Sequence, residues 1–180
     1  MTKTNTGNTK IITSTVVSLT VNDIAVTIDS SALADVLRSL PDIEAYKKFY
    51  ESLITHPSSR VRASIADKEQ LSEEAISVLA KDSSVEVLRN LVRNRTAREV
   101  LPLDLTIQII ERDVEVADSI AGYVEDWSNT MEIAKILKNH SDPQVRLALA
   151  NNRGTPKTIL RQQLKDDDTA VVHAAKENLS

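Results

Sequence analysis

Four arginines stand where guanidinium chemistry could be organised along one edge: Arg62, Arg95, Arg146 and Arg153. Each lies one or eight residues past a valine of a recurring pattern. On a helix those two positions fall near each other on the circumference, beside the apolar stripe. A guanidinium is a planar fork of donors that matches carboxylate and phosphate oxygens. An interrupted arginine edge would therefore suit an acidic peptide or a nucleic-acid backbone. The plainer reading is a solvated edge, with stems lying on apolar surface and heads paired to Asp and Glu.

Two aromatic residues form a second candidate. Trp127, the single tryptophan, and Tyr123 fall in the segment GYVEDWSNT at 122–130, between two helical patterns. An exposed aromatic pair there would be a partner-binding anchor. The alternative is a ring that covers the gap between helices. The histidines, His56, His140 and His173, lie far apart in sequence and show no zinc spacing. Turn and capping roles suit them. The run Asp166-Asp167-Asp168 could hold a cation but reads better as a solvated turn with Asp168 as the next N-cap. Glu73 and Glu74 suit the first turn of a helix. No metal, cofactor or catalytic residue is expected from these types and spacings.

Bulk composition narrows the partners. The chain has 180 residues, a formal net charge of −4 and 3% aromatics, so its core must be aliphatic. An acidic balance works against general affinity for nucleic acid or anionic membranes. Cysteine is absent, which removes disulfides, thiolate metal sites and cysteine nucleophiles. No apolar run approaches a membrane span, and the N-terminus does not read as a signal segment. A cytoplasmic protein is expected.

The elements that must position these residues follow from a repeat. SRVRASIAD at 59–67, VEVLRNLVRN at 85–94, VEVADSIAG at 114–122, PQVRLALANN at 143–152 and TAVVHAAKEN at 169–178 align on Val61, Val87, Val116, Val145 and Val171. Four residues later stand Ile65, Leu91, Ile120, Leu149 and Ala175, on the same helical face. Three residues later stand Ser64, Asn90, Ser119, Ala148 and Ala174, mostly small enough for close helix packing. A second helix completes each unit, anchored by Ile76 and Leu79, Leu105 and Ile109, Ile133 and Leu137, and Leu160 and Leu164. Spacings of this size mean stacked helical units, none able to bury its stripe alone. The extra residues of the longer units are expected in loops between helices. Caps are expected at Ser83, Asn129, Asp142 and Thr155, the last two followed by proline.

Ahead of the repeats, residues 1–10 read as a disordered tail. Residues 11–29 alternate with period two around Asn22-Asp23 and predict a β-hairpin. Its apolar face should pack on a first helix, Ser31–Leu40, followed by a second over 43–55. Residues 11–55 would then cap the helical repeats of 56–180.

The stretches DPQVRLALANNRGTPKTILRQQLKDD at 142–167 and HPSSRVRASIADKEQLSEEAISVLAKD at 56–82 resemble units of the leucine-rich-repeat variant family. They share a small or proline-containing start, then V-R-x-x-[IL]-A, a polar break and a second helix ending in Leu. The middle units depart from it, with Leu88 and Ala117 in place of the arginine. The resemblance implies a right-handed α-solenoid of short helical-pair repeats, HEAT-like in spirit.

The whole reads as a mainly α protein and a non-enzymatic protein- or peptide-binding module, with Arg62, Arg95, Arg146, Arg153, Tyr123 and Trp127 as its candidate contact residues. A homodimer could form through the C-terminal helix or the N-terminal hairpin. The alternative is a HEAT-like nucleic-acid-binding protein using the arginine edge. A third reading, a hydrolase with a carboxylate pair, needs a convergence that sequence does not display.

Overall fold

The computed structural model describes residues 17–21 and 24–180. The tail expected at 1–10, the start of the hairpin at 11–16 and its Asn22-Asp23 turn lie outside the described residues. The chain is mainly helical, with one two-stranded antiparallel sheet among the described residues.

Strands β1 (Val17–Val21) and β2 (Ile24–Ile28) pair in the register Val17 with Ile28 and Val21 with Ile24. The helix-proximal pair, Val17 and Ile28, packs against the core. Ile24 and Val26 are 68% and 60% exposed. The hairpin therefore does not lay a full face on the first helix, as alternation alone suggested. That helix, α1 (Ser30–Ser39), spends its stripe of Leu33, Ala34 and Leu37 on the helix after it in the stack. Asp29 caps α1 by accepting from Ser31 N and Ala32 N.

The helix expected over 43–55 is broken into a 3-10 turn at Glu44–Tyr46 and the short α2 (Lys47–Glu51). Ile54 and Thr55 are poor helix formers, and Pro57 disfavours helical backbone at His56. Tyr50 is fully buried here and donates its hydroxyl to the Pro41 carbonyl at 2.8 Å.

Five units follow. They are α3 (Ser59–Ala66) with α4 (Glu73–Leu79), then α5 (Val85–Arg93) with α6 (Arg95–Val100) and α7 (Leu103–Ile110). Next come α8 (Val114–Gly122) with α9 (Thr130–Leu137), α10 (Pro143–Asn151) with α11 (Lys157–Gln163), and α12 (Thr169–Leu179). The first helices pack in order: α1 on α3, α3 on α5, α5 on α8, α8 on α10 and α10 on α12. All five aligned valines are fully buried, as are Ile65, Leu91, Ile120, Leu149 and Ala175. Each branched side chain so buried contributes on the order of 2 kcal/mol of transfer free energy.

The inserted residues fall between helices as expected in the third unit, but in the second they form a helix of their own. The second unit folds its extra length into α6, and the third makes a 3-10 turn at Val124–Asp126. The caps divide similarly. Asp142 caps α10 ahead of Pro143, and Asp168 caps α12. Ser83 and Asn129 make no cap bond. Thr155 turns inward and donates to the Leu149 carbonyl at 2.6 Å, leaving Pro156 at the helix boundary.

Candidate binding site

The arginine after the aligned valine builds one motif twice. In the first unit Arg62 donates through Nε and NH2 to the two oxygens of Asp82, at 2.5 and 2.9 Å. Its NH1 donates to the carbonyls of His56 and Pro57. In the fourth unit Arg146 holds Asp166 at 2.8 and 2.9 Å, and its NH1 donates to the carbonyls of His140 and Ser141. Each histidine Nδ1 accepts the amide N–H two residues on, from Ser58 and from Asp142. Each aspartate also accepts a backbone N–H, from Ser84 and from Asp168. The clamp ties the turn before each first helix to the turn that ends the unit.

The electrostatics match that geometry. Burial pushes the Asp82 carboxyl up, but the bonds from Arg62 and Ser84 and the arginine charge outweigh it and hold it below the usual range. The Arg146 bond, opposed by burial, holds Asp166 low in the same way. The clamp pairs are largely shielded, with arginine and aspartate side chains 15% and 7% exposed in the first unit.

Asparagine supplies a second tie that periodicity analysis missed. Asn94, Asn152 and Asn178 each stand seven residues past an aligned valine. Asn94 Nδ2 donates to the carbonyls of Ala66 and Lys68, at the end of the preceding first helix. Asn152 donates likewise to Ala121 and Gly122, and Asn178 to Ala150 and Asn152. Lys68 occupies this position in the first unit and reaches the Leu40 carbonyl at 2.9 Å, past α1. Tyr123 occupies it in the third. At the four junctions bonded by asparagine or lysine, carbonyls at or just past the helix end are thereby satisfied from the next unit. The signal was present: asparagine stands seven residues past the aligned valine in three of the five units.

The proposed arginine edge does not form. Arg62 and Arg146 are consumed by their clamps. Arg95 begins α6 and pairs with Glu99 on it, and Arg153 is exposed in the turn after α10. Position eight lies beyond the end of its helix, about 10 Å along the axis from position one, so proximity on the wheel does not become proximity in space. Trp127 is also corrected as an exposed anchor: it is 2% exposed and belongs to the core. Tyr123 does reach solvent, at 42% exposure, with the buried Arg98 guanidinium stacked 4.8 Å from its ring centre. Arg98 in turn pairs with Asp126 and donates to the Arg93 carbonyl, pinning the turn that carries both aromatics.

Several hollows open on the surface of the described residues, and two of them lie beside these charged side chains. One, of about 420 Å³, opens beside the fourth-unit clamp between the turn at 138–141 and the end of α11. Lys138, His140, Gln162, Gln163, Lys165 and Asp167 are among its lining residues. The other, of about 440 Å³, lies across α5, α8 and α10, with Arg89 and Arg93 opposite Glu115 and Asp118. Burial, then the facing charge of Asp142, pushes the Asp118 carboxyl up. No protein-family model, curated protein or solved structure matches the chain. Among the described residues no group of three or more His, Asp or Glu is placed to hold a metal ion, and no helix is long and apolar enough to cross a membrane.

Proposed function

We propose that the chain is a non-enzymatic, cytoplasmic protein- or peptide-binding module. On this reading residues 56–180 are a right-handed α-solenoid of leucine-rich-repeat-variant or HEAT-like units, capped by 11–55. The observation that carries it is the row of first helices, each with its aligned valine buried and three of the junctions tied by an asparagine. Such a row fixes its backbone carbonyls and core internally and leaves side chains on its turns and outer faces for recognition. Stacked units of this kind make extended surfaces.

The nucleic-acid alternative draws little support. Arg62 and Arg146, two of the four arginines of its edge, are already neutralised by aspartates, Arg95 pairs with Glu99, and Trp127 is 2% exposed and not available for base stacking.

The test is selection of binders from a randomised-peptide array by the purified chain, with duplex DNA and single-stranded RNA titrated in parallel. Micromolar peptide binding, with no binding of either nucleic acid at the same protein concentration, supports the proposal. Nucleic-acid binding whose affinity falls steeply with salt, with no peptide bound, overturns it.

A further inference from the structure

The first and fourth units superimpose in sequence without a gap, at a constant offset of 84 residues (146 − 62). Their clamps use the same atoms in the same roles. What surrounds the clamps differs. The first unit carries Ile54, Val78 and Leu79 where the fourth carries Lys138, Gln162 and Gln163. Leu79 is fully buried in the core, and Ile54 packs against it. The fold therefore accepts apolar residues at these positions, and the polar set of the fourth unit is not required to build the clamp.

That polar set includes an under-satisfied group. Gln163 is 2% exposed, and its Nε2 donates to the Arg146 carbonyl at 2.8 Å. Its Oε1 is buried and accepts from no donor among the described residues. Leaving such an acceptor unpaired costs about 1–3 kcal/mol. The charges beside it are biased as well. Arg146 and Asp166 neutralise each other, leaving Lys138 and Lys165 against Asp167 in the lining. Lys138 donates to the neutral Asn139 side chain, and neither lysine is in an ion pair among the described residues.

A ligand matched to this hollow brings negative charge and an N–H donor close together. A phosphate has the charge and no N–H. The last residue of a peptide has both, its own amide N–H and the terminal carboxylate. A hollow of about 420 Å³ is in the size range of small-ligand sites, and capture of a terminal carboxylate is a recurrent mode of peptide recognition. We propose that this hollow captures the C-terminal carboxylate of a peptide partner, with Lys138 and Lys165 supplying positive charge and Gln163 accepting an N–H. This rests on the peptide-binding reading and names the site and ligand end within it.

The experiment uses an array of C-terminally randomised peptides anchored through their N-termini. They are made as free acids, as C-terminal amides, and as amides with Asp or Glu in the last position. The full chain and its Lys138→Ile and Gln163→Leu variants are probed, with circular dichroism on each. Both substitutions install the first unit's residues. The expected result is at least tenfold stronger binding to free acids than to either amide series, with at least a tenfold loss in each folded variant. Equal binding of acids and plain amides overturns the inference. So does binding of acidic amides equal to that of free acids, which would assign the site to side-chain carboxylates. Unchanged binding by both variants overturns it too, leaving Oε1 to a structural water. In those three cases peptide binding itself stands; an array on which nothing binds sinks both.

Discussion

Arg146 grips Asp166 through two parallel hydrogen bonds of 2.8 and 2.9 Å, and Arg62 grips Asp82 through the same pair of nitrogens twenty residues earlier in the chain than its own partner. Removing one member of a shielded pair leaves the other charge without compensation, which is the expensive case. Arg62→Met and Arg146→Met should each lower unfolding free energy by about 3 kcal/mol. Urea titration of the two variants checks this. A loss below about 0.5 kcal/mol would place both pairs with ordinary surface ion pairs.

The same pairs set an acid limit. Asp82 and Asp166 have folded-state pKa values held below their ordinary one. Their stabilisation is therefore complete above the unfolded-state value of about 3.9 and is lost as pH falls through the lowered folded values. Urea midpoints should hold from pH 7 to about 5 and drop steeply towards pH 3. The double variant Asp82→Asn with Asp166→Asn should be less stable at pH 7 and show a shallower acid decline.

Asp118 has the opposite sign. Its folded pKa is raised by burial and by Asp142, so ionisation at neutral pH works against the folded state. Asp118→Asn should raise the melting temperature at pH 7 and leave it unchanged near pH 3, as read by calorimetry at the two pH values.

The asparagine ties predict a graded series. Asn94 is 1% exposed, bonds two carbonyls and caps α6 by accepting from Ala97 N. Asn94→Ala should cost about 2–3 kcal/mol through buried groups left unpaired. Asn178→Ala, at a half-buried position, should cost about 1 kcal/mol. Equal costs would mean that burial does not govern these bonds.

Trp127 offers a spectroscopic check. A buried indole emits towards the blue and is shielded from acrylamide. The folded chain should show both properties and lose both in urea. Red-shifted, freely quenched emission without denaturant would restore the exposed anchor that the segment's sequence suggested.

The buried helix faces were legible because one spacing recurs five times in the sequence, and Val61, Val87, Val116, Val145 and Val171 are all fully buried. The hairpin strands were legible from alternation, but the direction of Ile24 and Val26 was not, because alternation does not say whether a partner arrives. The site was less legible. Arg62 and Arg146 were marked, yet their partners lie a whole helical pair downstream. Wheel proximity placed Arg95 and Arg153 on the same edge, although both stand past the ends of their helices. Gln163 gave no signal in isolation. It became informative only when its counterpart, Leu79, was seen to fill the equivalent place in the core.

The separation of fold from recognition is tested most directly by measuring stability and peptide affinity on one variant, Gln163→Leu. Removing the orphaned Oε1 offsets the lost bond to the Arg146 carbonyl, so unfolding free energy should stay within about 1 kcal/mol of the parent. Calorimetric titration with a free-acid peptide taken from the array should show affinity down at least tenfold. A variant that loses several kcal/mol of stability but keeps its affinity would make Gln163 part of the scaffold and contradict the proposal.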